Sequence, residues 1–96
     1  MRIRWHPNAI ADLEEIERFI AQDSPHYAQT VVAAMIALAE SIVKMPKAGR
    51  MVPELKNSNV HERFYGNYRL IYRISQDCVE IVAIRHGARE LKNLEG

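Results

Sequence analysis

The sequence predicts an α+β fold: an N-terminal strand, an antiparallel two-helix hairpin packed on one face of an antiparallel sheet, and a C-terminal three-stranded meander. Three observations carry that expectation. Apolar residues recur at helical spacing through residues 7–45, then in strand-like runs through residues 60–86. Those runs break at Gly66-Asn67 and Gln76-Asp77, both natural turn pairs. Between the two halves, "MPKAGRMVPELKNSN" gathers two prolines, a glycine and a polar run, as a loop does.

The elements follow in order. "MRIRW" alternates apolar and basic residues and reads as a short first strand. Pro7 fits the first turn of a helix, where its missing N–H costs nothing. Ile10, Leu13, Ile16 and Ile20 give that helix its apolar stripe, and Asp12, Glu14, Glu15 and Glu17 crowd its early turns, where the dipole favours acids. It ends near Gln22. Ser24 is placed to cap a second helix with Pro25 at its first position. Ala28, Val31, Val32, Met35, Leu38, Ala39 and Ile42 form the second buried stripe, and Pro46 bounds it.

Three strands follow: "VHERFY", "YRLIYRI" and "CVEIVAIRH". In the middle one, Tyr68, Leu70, Tyr72 and Ile74 share one face, and Arg69, Ile71 and Arg73 share the other. Leu70 and Tyr72 of the first set, with Leu13, Ile16, Ile20, Val31, Met35 and Leu38, are the expected core. The last strand is apolar on both faces up to Ile84, as a central strand is, then turns polar at Arg85-His86. The tail "GARELKNLEG" reads as a short helical turn.

Composition sets the class. Ninety-six residues make one domain, and 48% hydrophobic with 26% charged residues is an ordinary globular balance. A lone cysteine, Cys78, allows no internal disulfide and fits a reducing compartment. "MRIRWHPN" has no apolar core of a secretory signal, and no apolar run reads as the roughly 20 residues that span a bilayer. The expectation is a cytoplasmic protein without a membrane partner.

Net charge is only +1, but its distribution is uneven. Residues 49–96 hold eight bases against six acids, and six of those bases are arginine. Arginine is the side chain suited to bidentate contact with carboxylate or phosphate. The alternation places Arg69 and Arg73 on the sheet face opposite the helices, with Arg85 and His86 at a strand end. Cross-strand pairing with Glu62 or Glu80 is the bland alternative for these arginines. His86 could serve as an acid or base, or be structural. His6, His26, His61 and His86, with one distant cysteine, lack metal-ligand spacing, so neither a metal nor a cofactor is expected.

The order strand, helical hairpin, "P-x-x-GR" loop and three strands resembles the RelE/ParE superfamily of toxins from bacterial toxin–antitoxin pairs. "A-x-x-DLEEI" from Ala9 to Ile16, "SPHYA", "MPKAGRMVPEL" and "GNYRLIYRI…VEIVAIRHGARE" carry the resemblance over nearly the whole chain. It implies a single toxin domain over residues 1–96 and a cognate antitoxin that wraps and neutralises it as a hetero-oligomer.

The superfamily implies two chemistries. ParE-like members bind and poison DNA gyrase and need no hydrolytic site. RelE-like members cut ribosome-bound mRNA, using cations for charge and a tyrosine, glutamate or histidine for proton transfer. "GNYRLIYRI" and "AIRHGARE" are closer to the ParE-like branch. The tail after His86 has no tyrosine, the loop offers only Lys44, Lys47, Arg50 and Lys56, and His61 stands where an arginine is common. On the favoured reading no catalytic residue is expected, and Arg50, Arg69, Arg73, Arg85, His86 and Arg89 are candidates for target or antitoxin contact. On the nuclease alternative Arg69, Arg73, Arg85 and His86 carry the site. A third alternative is a non-toxic regulatory binding module.

Overall fold

The structure, a computed structural model, describes residues 1–56 and 59–87. Strand β1 (Arg2–Trp5) leads into helices α1 (Pro7–Ala21) and α2 (Pro25–Lys44). A 3-10 turn (Pro46–Ala48) and a two-residue strand β2 (Arg50–Met51) precede the meander β3 (Val60–Tyr65), β4 (Tyr68–Ile74) and β5 (Cys78–His86). Arg89 and the rest of the expected C-terminal helical turn lie outside the described residues.

The meander is antiparallel as the turn pairs predict, and the five strands lie in the order β1-β5-β4-β3-β2. β1 joins β5 in parallel, which makes the whole sheet mixed. Alternation within "MRIRW" identifies a strand but carries no information about its direction relative to its neighbour. β2, inside the segment read as a loop, pairs Arg50 with Glu62 and Met51 with His61.

Both helix starts rest on side-chain caps. Ser24 Oγ accepts the Tyr27 N–H at 3.1 Å, with Pro25 following as predicted. At α1 the cap is His6, whose Nδ1 accepts the Asn8 N–H at 3.0 Å. The acids of α1 begin only at Asp12, past the first turn, where the dipole's influence has faded.

The core lies between the hairpin and the sheet. Ala9, Val31, Met35, Ala39, Ile42, Leu70, Tyr72, Val79, Ile81 and Ile84 are buried there, and Leu13, Ile16, Ile20 and Leu38 pack against them part-buried. By length and composition α2 is apolar enough to cross a membrane. In this fold its stripe Ala28, Val31, Met35, Ala39 and Ile42 is turned inward, onto the protein's own core.

Strict alternation along β5 would put Ile84 on the face opposite Val79 and Ile81. A register shift prevents this. Ile71 faces Ala83 while Tyr72 faces Ile81, so Val82 stands unopposed and the phase slips by one residue. The run "IVAI" is apolar throughout, so the slip exposes nothing polar to the core. Ala83 and Val82 then join Val52, Val60, Ile71 and Leu55 in a second, smaller cluster on the far face. That face is therefore partly covered by the segment around Val52 and Leu55, and is not the open basic sheet surface the alternation suggested.

Candidate partner-binding surface

Four of the arginines singled out in the sequence sit at the sheet, and the structure holds them very differently. Arg69 is buried. Its Nη1 and Nη2 each donate to Glu54 at 2.9 Å, and its Nε donates to Glu62 Oε1 at 2.7 Å. Glu62 is itself fully enclosed and also accepts from Arg50 Nε. The expectation of an exposed guanidinium at Arg69 is thereby corrected: β4 is interior, and the strap carrying Glu54 closes over it. The hydrogen bonds from Arg69 hold the Glu54 carboxyl below its ordinary range, and Glu54 in turn stabilises the charged guanidinium.

Arg50 lies more than half exposed at the sheet edge, with its guanidinium 5.2 Å from the centre of the Phe64 ring. Arg73 is half exposed and meets Glu80 only loosely, at 3.4 Å. Both acids that the sequence offered as cross-strand partners, Glu62 and Glu80, are therefore used.

Arg85 takes a partner that sequence reading missed. β1 accompanies β5 only from Cys78 to Ile81, so β5 runs on without a strand on that side. There α1 supplies the partner: Asp12 Oδ2 accepts the Ile84 N–H at 2.9 Å and Arg85 Nη1 at 2.6 Å. One carboxylate satisfies an edge amide and an arginine at once. Asp12 and Arg85 are 73 residues apart, and no local pattern signals their meeting.

Beside this contact runs a groove of about 930 Å³ between α1 and the ends of β4 and β5. Ile16, Phe19, Tyr68 and Ile84 line it with apolar surface, and Glu15, Arg18, Arg85 and His86 are among its polar residues. Phe19 is 68% exposed on a helix whose Leu13, Ile16 and Ile20 pack part-buried against the core, while Ile10, expected in the same stripe, is exposed as well. The His86 ring meets Tyr68 edge-on at 5.9 Å. Phe19 and Tyr68 were not among the predicted site residues; only an aromatic placed off the helical stripe could have signalled the first.

The arginines proposed for a nuclease site thus spread over separate carboxylates: Arg69 on Glu54 and Glu62, Arg73 on Glu80, and Arg85 on Asp12. No cluster of side chains suited to a metal ion occurs among the described residues.

At the rear of the scaffold, Tyr72 donates its hydroxyl to the Pro46 carbonyl at 2.6 Å, and burial pushes its phenol pKa up. A Cβ on Gly49 would collide with that hydroxyl and lie 2.6 Å from the Glu62 carbonyl oxygen. Glycine here permits close approach of the loop to the sheet. The same contact seats the strand Arg50–Met51 beside Glu62.

Comparison with known proteins agrees with this architecture. The family model for the ParE toxin of the type II toxin–antitoxin system parDE matches residues 3–91. Toxin RelE2 of Caulobacter vibrioides is 32% identical over 88 residues, covering 92% of this chain and 97% of that protein. A putative toxin, Y4kP of Sinorhizobium fredii, is 33% identical and covers 93% and 91%. Among solved structures, the chromosomal ParDE toxin–antitoxin system of P. aeruginosa superposes with a TM-score of 0.74 at 18% identity, over 90% of this chain and 95% of that one. The RelBE2 toxin–antitoxin complex of Mycobacterium tuberculosis gives 0.65 at 22% identity, over 88% and 95%. Sequence match and fold agree: the chain belongs to the ParE toxin family of type II toxin–antitoxin systems, within the RelE/ParE superfamily.

Proposed function

We propose that this toxin arrests growth by binding DNA gyrase, acting in the cytoplasm as a single domain over residues 1–96 and neutralised by a cognate antitoxin in a hetero-oligomer. The internal commitment of its arginines carries this reading. Ribonuclease chemistry needs a proton acceptor for the 2′-hydroxyl, a donor for the leaving 5′-oxygen, and cations for the charge on the phosphorane. Arg69 is enclosed by Glu54 and Glu62, and Arg85 is held by Asp12 at 2.6 Å. Redirecting either cation to a substrate phosphate would strand a carboxylate in a part-buried or buried site.

Inhibition by binding makes no such demand. It needs a rigid scaffold and a contact surface, and the groove beside Phe19, Tyr68 and Ile84 supplies one with apolar anchors and a charged rim. The antitoxin is supported by the kinship itself, since both solved relatives come from toxin–antitoxin systems.

The test runs two assays side by side on the purified protein: gyrase supercoiling, and cleavage of ribosome-bound mRNA. Inhibited supercoiling with intact mRNA, relieved by the partner encoded in the adjacent reading frame, is the expected outcome. Cleaved mRNA with normal supercoiling would move the assignment to the endonuclease branch. Absence of growth arrest on expression would leave the regulatory module.

A further inference from the structure

We infer that the outer corner of the sheet, formed by Arg2, Arg4 and Arg73, binds the phosphodiester backbone of a nucleic acid. The inference requires only DNA and stands apart from the gyrase reading.

Charge separates between the two layers of the fold. The helical hairpin, residues 7–44, carries Arg18 and Lys44 against six acids, a net of −4. The remaining described residues carry nine arginines and lysines against four acids, a net of +5. The excess of bases therefore lies in the sheet and its loops, and at the corner itself Arg2, Arg4 and Arg73 outnumber Asp77 and Glu80.

The sheet's ion pairs differ in length and exposure. Arg69 and Arg85 are held at 2.6–2.9 Å by carboxylates and are largely buried. Arg2, Arg4 and Arg73 meet their acids only at 3.4, 3.6 and 3.4 Å, beyond the ~2.7–2.9 Å of a strong charge-assisted hydrogen bond. Their side chains are 80%, 71% and 45% exposed. Such pairs contribute little and exchange readily for an external anion.

The geometry is ordered. Arg4 faces Glu80 across the β1–β5 ladder and Arg73 faces the same Glu80 across β4–β5, so two guanidinium groups flank one carboxylate. Arg2 and Arg4 stand two residues apart on β1, ~6.6 Å along the strand. A hollow of about 460 Å³ opens between them, lined also by Ser75, Asp77 and Glu80. Three exposed guanidinium groups gathered at one sheet corner suit the closely repeated charge of a nucleic-acid backbone. Nothing here reads bases, so the binding is independent of sequence.

The experiment uses the full chain and a short fluorescein-labelled DNA duplex, followed by anisotropy across a salt series. Two or three phosphate contacts predict a log–log salt slope of about −2 to −3. Arg4→Gln should reduce the slope by about 1. The triple change Arg2→Gln, Arg4→Gln and Arg73→Gln should weaken low-salt binding by at least about tenfold. Glu80→Gln, which frees two guanidinium groups, should tighten it. Circular dichroism verifies that each variant is folded. No DNA binding at low salt, unchanged affinity in the folded triple variant, or tighter binding of a polyglutamate peptide than of DNA would each overturn the inference.

Discussion

Arg69→Ala and Arg73→Ala remove the same group from the same strand and should differ sharply in stability. Glu62 has 0% side-chain exposure, and its carboxylate is held by Arg69 and Arg50. Taking Arg69 away returns Glu54 to solvent and leaves Glu62 with Arg50 alone, which is 59% exposed and well screened. Removing one partner of a buried ion pair typically costs about 3–5 kcal/mol, because the other charge stays behind. Retention of Arg50 places this case near the lower end, at about 3 kcal/mol. Arg73 meets Glu80 at 3.4 Å near the surface, and its loss should cost under about 1 kcal/mol. For a domain of this size 1 kcal/mol corresponds to about 4–8 °C in Tm, so Arg69→Ala should melt roughly 12–24 °C lower. Urea unfolding followed through Trp5, the single tryptophan, gives both values on one scale. A loss below about 1 kcal/mol for Arg69→Ala, or equal losses for the two variants, would refute the division into buried and loosely held arginines.

Acid should act on the same network. The Glu54 pKa is depressed in the folded state by Arg69, so its contribution is present above the ordinary value of 4.5 and is lost as pH falls through the depressed one. Thermal melts of the wild type should therefore drop below that pH, and those of Arg69→Ala should drop less. Gly49→Ala should destabilise by about 1–3 kcal/mol in the same urea assay, since its Cβ meets the Tyr72 hydroxyl and the Glu62 backbone. Asp12→Ala should cost about 1–3 kcal/mol by stranding the Ile84 amide and releasing Arg85, with faster amide exchange at Ile84 as its signature. Phe19→Ala should leave Tm nearly unchanged while weakening gyrase inhibition, because the ring is exposed in the groove; undiminished inhibition would take the groove out of the binding surface.

The fold was legible because its signals are local. Ser24-Pro25 writes a helix start, Gly66-Asn67 writes a hairpin, and the stripes of α1 and α2 point at the strand face of Leu70 and Tyr72. What the sequence hid depends on chain route and distance. The direction of β1 against β5 is set by where the hairpin returns the chain. The unopposed Val82 is invisible because "IVAI" is apolar in either phase. The candidate site suffered most from this. Alternation correctly put Arg69 and Arg73 on the face away from the helices, yet exposure was decided by Glu54 and Leu55 folding over that face from a segment with little strand character. An arginine on a sheet face is thus a cation available to a partner only where no strap of its own chain reaches it first. By that criterion the arginines nearest the strap, Arg50 and Arg69, build the scaffold. Arg2, Arg4 and Arg73, which no carboxylate of the strap holds, keep only long and exposed ion pairs.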